Sequence, residues 1–241
     1  MDATQAARDS AGAIVGLPAR FMMDGATYAR GGELGFDGVD FYFAGRGGAL
    51  GDTCGAVVAA AFVFFNPETV CEAWARTEKV MGRVDAANAF AGCSSTWAAS
   101  HLADGVDYAR LAELCGRVVR SASPAALPLF AAWADLPEPE DDKALALHRV
   151  NLLRELRGGL HGAAVLAAGL DPRDAVMVHT PYMAGLFGWG EPDPDAEPHR
   201  PEWDRAEALT DSEMARTLGV LASEELAELV GLLSAAEGAA S

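Results

Sequence analysis

Lysine is nearly missing from this chain: Lys79 and Lys143 are the only two. Basic residues of both kinds total 18 against 35 acidic ones, a net charge of -17. Affinity for nucleic acid rests on neutralising phosphates, so this balance argues against a DNA- or RNA-binding surface. It argues equally against docking on anionic lipid. Cysteine is scarce too. Cys54, Cys71, Cys93 and Cys115 show no C-x-x-C spacing, so neither a disulfide framework nor a zinc site is expected, only reduced and mostly buried thiols. Long apolar runs are absent. The longest, from Ala56 to Phe65, is about half of what a membrane span needs. The start, Met1-Asp2-Ala3-Thr4, lacks the basic region of a signal peptide, which makes the cytoplasm the expected compartment. No segment alternates β-branched and polar residues for long enough to read as a sheet strand. Val39–Phe43 is a candidate short strand with nothing to pair with.

What is present is helical text. The composition, 51% hydrophobic and 22% charged, is that of a folded domain. Asn66-Pro67, Ser123-Pro124 and Asp171-Pro172 each set a capping oxygen before a proline suited to a first helical turn. Periodic runs cover about 67–81, 84–101, 106–121, 124–135, 142–157, 160–169, 172–186, 202–221 and 223–236. The expectation is an all-α bundle of about nine helices in one domain, 1–241, with a loose lead-in over residues 1–20. Arg46–Gly51 (RGGALG) resembles Arg157–Gly162 (RGGLHG), which suggests two related halves, 21–135 and 142–241. Leu136–Asp142 is an acidic linker. Gly188–Pro201, with prolines at 192, 194, 198 and 201, reads as an extended strap pinned by Trp189 and Trp203.

Two arginine segments carry the chemistry. In the first, the aromatic triplet Phe41-Tyr42-Phe43 runs into Gly45-Arg46-Gly47-Gly48 and then Asp52. A glycine-rich bend lets backbone approach a ligand, and Arg46, with Tyr42 beside it, can hold a carboxylate, sulfate or phosphate. Asp52 is a candidate base that orients or deprotonates an amine. The plainer readings are an Arg46 ion pair and an Asp52 helix cap. In the second segment Arg154 and Arg157 share a helix face, with Glu155 between them and His161 one turn on. Arg154, Glu155 and Arg157 are candidate binding residues, and His161 is a candidate acid–base catalyst. The plainer readings are a helix-end cation for Arg157 and a core histidine for His161. H-E-x-x-H, G-x-S-x-G, the P-loop pattern and paired Glu-x-x-His are all missing, so no metal and no cofactor is expected.

Taken together, Phe43-Ala44-Gly45-Arg46, the Phe64-Phe65-Asn66-Pro67 helix start, Leu153-Arg154-Glu155 with Arg157-Gly158 and His161, and Phe187-Gly188-Trp189 resemble an actinobacterial all-helical family often labelled helix-turn-helix. The resemblance spans about 25–235. It implies a winged-helix-like C-terminal part, from which the acidic helices of 202–236 depart because they carry no basic recognition helix. It also implies that His commonly stands at position 155 and a small residue at 52, so Glu155 and Asp52 mark an altered pocket. There is a looser similarity to aziridine-forming biosynthetic enzymes, which implies metal-free chemistry and a partner subunit.

The leading expectation is therefore a biosynthetic enzyme of secondary metabolism acting on a small, amine-bearing anionic substrate, free or carrier-bound. Its reaction would be displacement of sulfate or phosphate by an internal amine. The alternatives are a non-catalytic ligand-binding protein or degenerate regulator, and a supporting subunit of a heteromer that docks through Trp74, Trp97 or Trp133. Neither nucleic acid nor membrane is an expected partner.

Overall fold

The computed structural model describes residues 1–193 and 196–240. The described residues form twelve α-helices and no strand, so the all-α class holds. The order is α1 (Ala3–Met23), α2 (Gly25–Glu33), α3 (Asp40–Gly48), α4 (Gly55–Phe62), α5 (Pro67–Thr77) and α6 (Arg83–His101). It continues with α7 (Tyr108–Ser121), α8 (Pro128–Ala134), α9 (Asp142–Ala167), α10 (Pro172–His179), α11 (Arg200–Leu218) and α12 (Ser223–Ala239).

The count exceeds the expected nine for identifiable reasons. The lead-in is not loose. Asp2 caps α1 by accepting from the Gln5 amide, and Ala6, Ala7, Ser10, Ala13, Ile14 and Leu17 bury one face. That face is built mostly of small residues, so its periodicity carries little hydrophobic contrast. The candidate strand Val39–Phe43 is instead the N-cap and first turn of α3, whose nine residues, Asp40–Gly48, are all buried. The helix expected from Pro124 starts at Pro128. Ser123 Oγ accepts from the Ala125 amide in a turn, and Ala126 takes φ +62. The run 172–186 divides into α10 and a single 3₁₀ turn, Pro181–Met183.

The runs 142–157 and 160–169 merge into the 26-residue helix α9, which the glycine pair does not interrupt. A side chain at Gly159 would meet Leu127 at 2.6 Å, and one at Gly162 would meet Val63 at 2.9 Å. These glycines are there to admit neighbouring chain. The similar hexapeptide Arg46–Gly51 has a different local structure: it ends α3 and turns at Gly51, φ +70.

Helix α9 is the axis of the molecule. It packs against α1, α6, α7, α8 and α11, so it touches both candidate halves. Its interior side chains join the main core, which includes Phe21, Phe41, Phe43, Phe90 and Trp133. A second apolar cluster gathers Val165, Leu170, Val176 and Trp203 where α9, α10 and α11 meet.

Trp74, Trp97 and Trp133 are all buried and offer no docking face. Trp74 donates to Thr53 O and Trp133 to Arg46 O, so both tryptophans fasten helices internally. The cysteines are free, but Cys54 is exposed and only Cys115 is fully buried. Of the strap, Trp189 donates to Phe64 O at 2.8 Å and Trp203 is buried within α11, while Pro194 and Asp195 lie outside the described residues. No helix is long and apolar enough to cross a membrane among the described residues.

Candidate functional site

A cavity of about 950 Å³ opens between α1, α3, the α4–α5 connection, α9, α10 and α11. This size suits a small organic molecule. Its wall is largely aromatic and aliphatic, with Phe62 to Phe65 on one side and Met183 and Phe187 on another. Both non-glycine residues with left-handed backbone among the described residues, Val63 (φ +39) and Ala126 (φ +62), line it. A β-branched residue at such a φ is strained, and strain of this kind collects at functional sites. Val63 is held there by the close approach to Gly162.

Six of the seven residues singled out from the sequence line this one cavity: Tyr42, Arg46, Arg154, Glu155, Arg157 and His161. Asp52 does not. After Gly51 turns the chain, Asp52 lines a separate cleft with Glu78 and Arg83, so the proposed base is not in reach of the Arg46 cavity. Nor does it cap α4, whose N-cap is Cys54.

Arg46 is not free to clamp a ligand either. Its Nε and Nη2 donate to the two oxygens of Glu155 at 2.9 and 2.8 Å, and Nη1 donates to the Tyr42 hydroxyl at 3.1 Å. The guanidinium also lies 4.6 Å over the Phe62 ring. Burial opposes both charges. For Arg46 the fields of Glu155 and Tyr42 outweigh it and raise the pKa, and for Glu155 the two arginines outweigh it and lower the pKa. Glu155 is thus the internal counter-ion of Arg46, and this pair ties α3 to α9.

The second cation on Glu155 is Arg154, through Nη1 to Oε1 at 2.8 Å. Its Nε is buried with no hydrogen-bond partner. One turn on, Arg157 donates from Nη2 to Glu207 at 2.8 Å, and its Nε is likewise unpartnered. His161 completes the stripe on α9. Its Nδ1 lies 2.9 Å from Thr210 Oγ1, and the Thr210 hydroxyl already donates to Ala206 O at 2.8 Å. Thr210 can therefore only accept from the ring. That fixes the proton on Nδ1 and leaves Nε2 as a bare lone pair, buried and unpartnered. Burial pulls the His161 pKa down to about 4, helped by Arg157 and His179 and opposed by Glu207, whose oxygen is 3.5 Å from Nδ1. The ring is wedged between Phe64 and Trp203.

On α11, Glu207 and Thr210 were not singled out from the sequence, and Trp203 was read only as a pin of the strap. Trp203, Glu207 and Thr210 stand at i, i+4 and i+7, one stripe facing α9. A glutamate and a threonine on the stripe that carries Trp203 and Met214 were the available signal. His179 stacks on Trp203 at 4.4 Å, and burial lowers its pKa as well. Among the described residues no three His, Cys, Asp or Glu side chains gather as metal ligands.

A sequence model described as the helix-turn-helix family matches residues 7–228. The chain belongs to the helix-turn-helix family. No curated protein and no solved structure matches it. In this helix-turn-helix family member the matched region takes in all the cavity-lining polar residues named above. Membership leaves nucleic-acid binding open. The net charge of -17 speaks against it.

Proposed function

We propose that this helix-turn-helix family protein is a small-molecule enzyme in which His161 is the proton acceptor. The observation that supports this is the unpartnered Nε2 lone pair in a cavity wall, with the tautomer held by Thr210. The lowered pKa keeps the imidazole unprotonated at neutral pH. Glu207 near Nδ1 stabilises the imidazolium once a proton arrives. The finer reading is biosynthetic amine displacement. An amine of the substrate attacks a carbon of the same molecule, and the C–O bond to a sulfate or phosphate breaks with its electron pair leaving on oxygen. The amine N–H, acidic as the C–N bond forms, passes its proton to Nε2. The free N–H donors of Arg154 and Arg157 receive the departing anion. Holding both ends in line contributes several kcal/mol, up to about 7–11 in well-aligned cases.

The test is release of inorganic sulfate or phosphate from a series of 2-aminoalkyl sulfates and phosphates. The expected result is turnover by the wild type that falls by about 10²–10⁴ in His161→Gln. Absence of release from every member, or equal rates in the variant, overturns the enzyme reading. Family membership favours a second reading, in which the same cavity senses a ligand without turning it over. Saturable binding of these compounds without anion release is its signature.

A further inference from the structure

The polar stripe and the apolar wall together say more about the ligand than its reacting groups. Counting the charges that face the stripe, Arg46 and Arg154 share Glu155, and Arg157 is matched by Glu207. Asp211, 4.0 Å from Arg157, is 3.5 Å from Arg8 and balanced by it. His161 and His179 are neutral. One positive charge is left over, and it sits at Arg154, which makes a single hydrogen bond. The buried unpartnered atoms on the stripe are two donors, Arg154 Nε and Arg157 Nε, and one acceptor, His161 Nε2. That set complements an oxyanion of unit charge with a donor group beside it. A dianion would overcompensate in a low-dielectric wall.

The rest of the cavity is lined mostly by apolar groups, with Tyr28, Tyr42, His179 and Thr180 as further polar side chains. Phe62, Phe64, Phe65 and Phe187 cover its wall, and its volume of about 950 Å³ is far more than a head group fills. The apolar surface continues outward: Val15, Met23, Val39, Leu166 and Leu186 are lining residues that are also exposed. Exposed apolar residues lining a cavity that also holds buried polar groups are the mark of a ligand groove.

We propose that the cavity takes an amphiphilic monoanion, with one carboxylate or sulfate group beside Arg154 and Arg157 and an apolar body lying along the phenylalanine wall towards the rim. This rests on the cavity being a small-molecule site, and it narrows the ester of the displacement reading from sulfate or phosphate to sulfate, the one that is a monoanion when bound.

The experiment is competition against a fluorescent dansyl-undecanoate probe. The competitors are decanoate, decyl sulfate, decyl phosphate, decylamine and decanol, at pH 8, where a phosphate monoester is a dianion. Decanoate and decyl sulfate are expected to bind at least tenfold tighter than decyl phosphate, decylamine and decanol. Decanoate against decyl sulfate tells which oxyanion the head site prefers. Arg154→Gln is expected to erase the tenfold preference while decanol binding stays, with a thermal melt confirming that the variant folds. Leu166→Glu, at an exposed rim position, is expected to weaken every decyl ligand alike. Equal binding of all heads, or tighter binding of the phosphate or the amine, overturns the monoanion. Failure of the probe to bind, or a Leu166→Glu variant that binds as the wild type does, overturns the apolar body. Turnover of short 2-aminoalkyl sulfates without any alkyl-chain binding would sink this inference alone. Alkyl monoanion binding without turnover would sink only the enzyme reading.

Discussion

Glu155 is almost fully enclosed and its two oxygens are taken by Arg46 and Arg154. A buried ion pair adds little net stability, yet breaking one leaves a charge with no counter-ion. Glu155→Gln should therefore cost about 3–5 kcal/mol, read as a lower urea midpoint at unchanged slope. The joint change Arg46→Met with Glu155→Leu should return most of that loss, because no charge is then stranded. His161 sets a different, pH-dependent term. Its folded pKa of about 4 lies below the 6.5 of a free imidazole, so the unfolded chain binds the extra proton first. The contribution is full above 6.5 and drains away as pH falls towards 4. It is on the order of 3 kcal/mol at about 1.4 kcal/mol per unit. His148 and His179 are lowered by burial too and act in the same direction. Urea midpoints measured between pH 7 and 4 should fall steeply for the wild type and less steeply for His161→Gln, and parallel slopes would refute the assignment. The sequence showed these residues as chemically interesting and placed them on two segments. It could not show that Arg46 and Glu155, 109 positions apart, neutralise each other, because a pairing across that separation is decided by the packing of α3 on α9.

Between helices, the decisive residues are small ones. The crossing of α3 over α6 brings backbone to backbone: a Cβ on Gly48 would lie 2.2 Å from Arg83 O, and one on Gly45 would lie 2.4 Å from the Phe90 Cβ. Gly48→Ala should push the helices apart and cost about 1–3 kcal/mol. Gly92, inside α6, has nothing within 4 Å of the same position, so Gly92→Ala should add up to about 1 kcal/mol from helix propensity alone. At about 2–4 °C per kcal/mol for a chain this long, the two variants should melt on opposite sides of the wild type. Melting in the same direction would mean that the crossing is looser than drawn. This is also where the sequence was hardest to read. Helices with a proline at the first turn, α5 and α10, were legible at their starts because Asn66 and Asp171 cap them. Helix α1 was not, since its first three turns bury only alanine and serine, and Ile14, Leu17 and Phe21 come later. Helix α9 was split in two because Gly158-Gly159 looks like a break until Leu127 is seen against Gly159.

For the molecule as a whole, helical periodicity already carried the all-α class, and composition the net charge of -17. The cavity lay beyond it, since its walls come from widely separated parts of the chain and its α11 side reads locally as an ordinary amphipathic helix. Charge is the property that bears on the family's helix-turn-helix description. Many of the arginines are engaged with carboxylates: Arg110 with Glu113 and Glu228, Arg117 with Glu225, Arg149 with Glu138, Arg76 with Asp40. A cation already paired releases no counterions from DNA unless the pair breaks, and at a net charge of -17 the long-range field repels the phosphate backbone. Duplexes of mixed sequence should therefore show no retardation at about 10 µM protein and about 0.15 M salt, where ordinary non-specific binders have Kd of roughly 10⁻⁴–10⁻⁶ M. Fluorescence anisotropy over a salt series checks this. A micromolar signal that falls steeply with salt would mean that a local cationic patch overrides the net field. The cavity would then read as the sensor of a regulator rather than as the pocket of an enzyme.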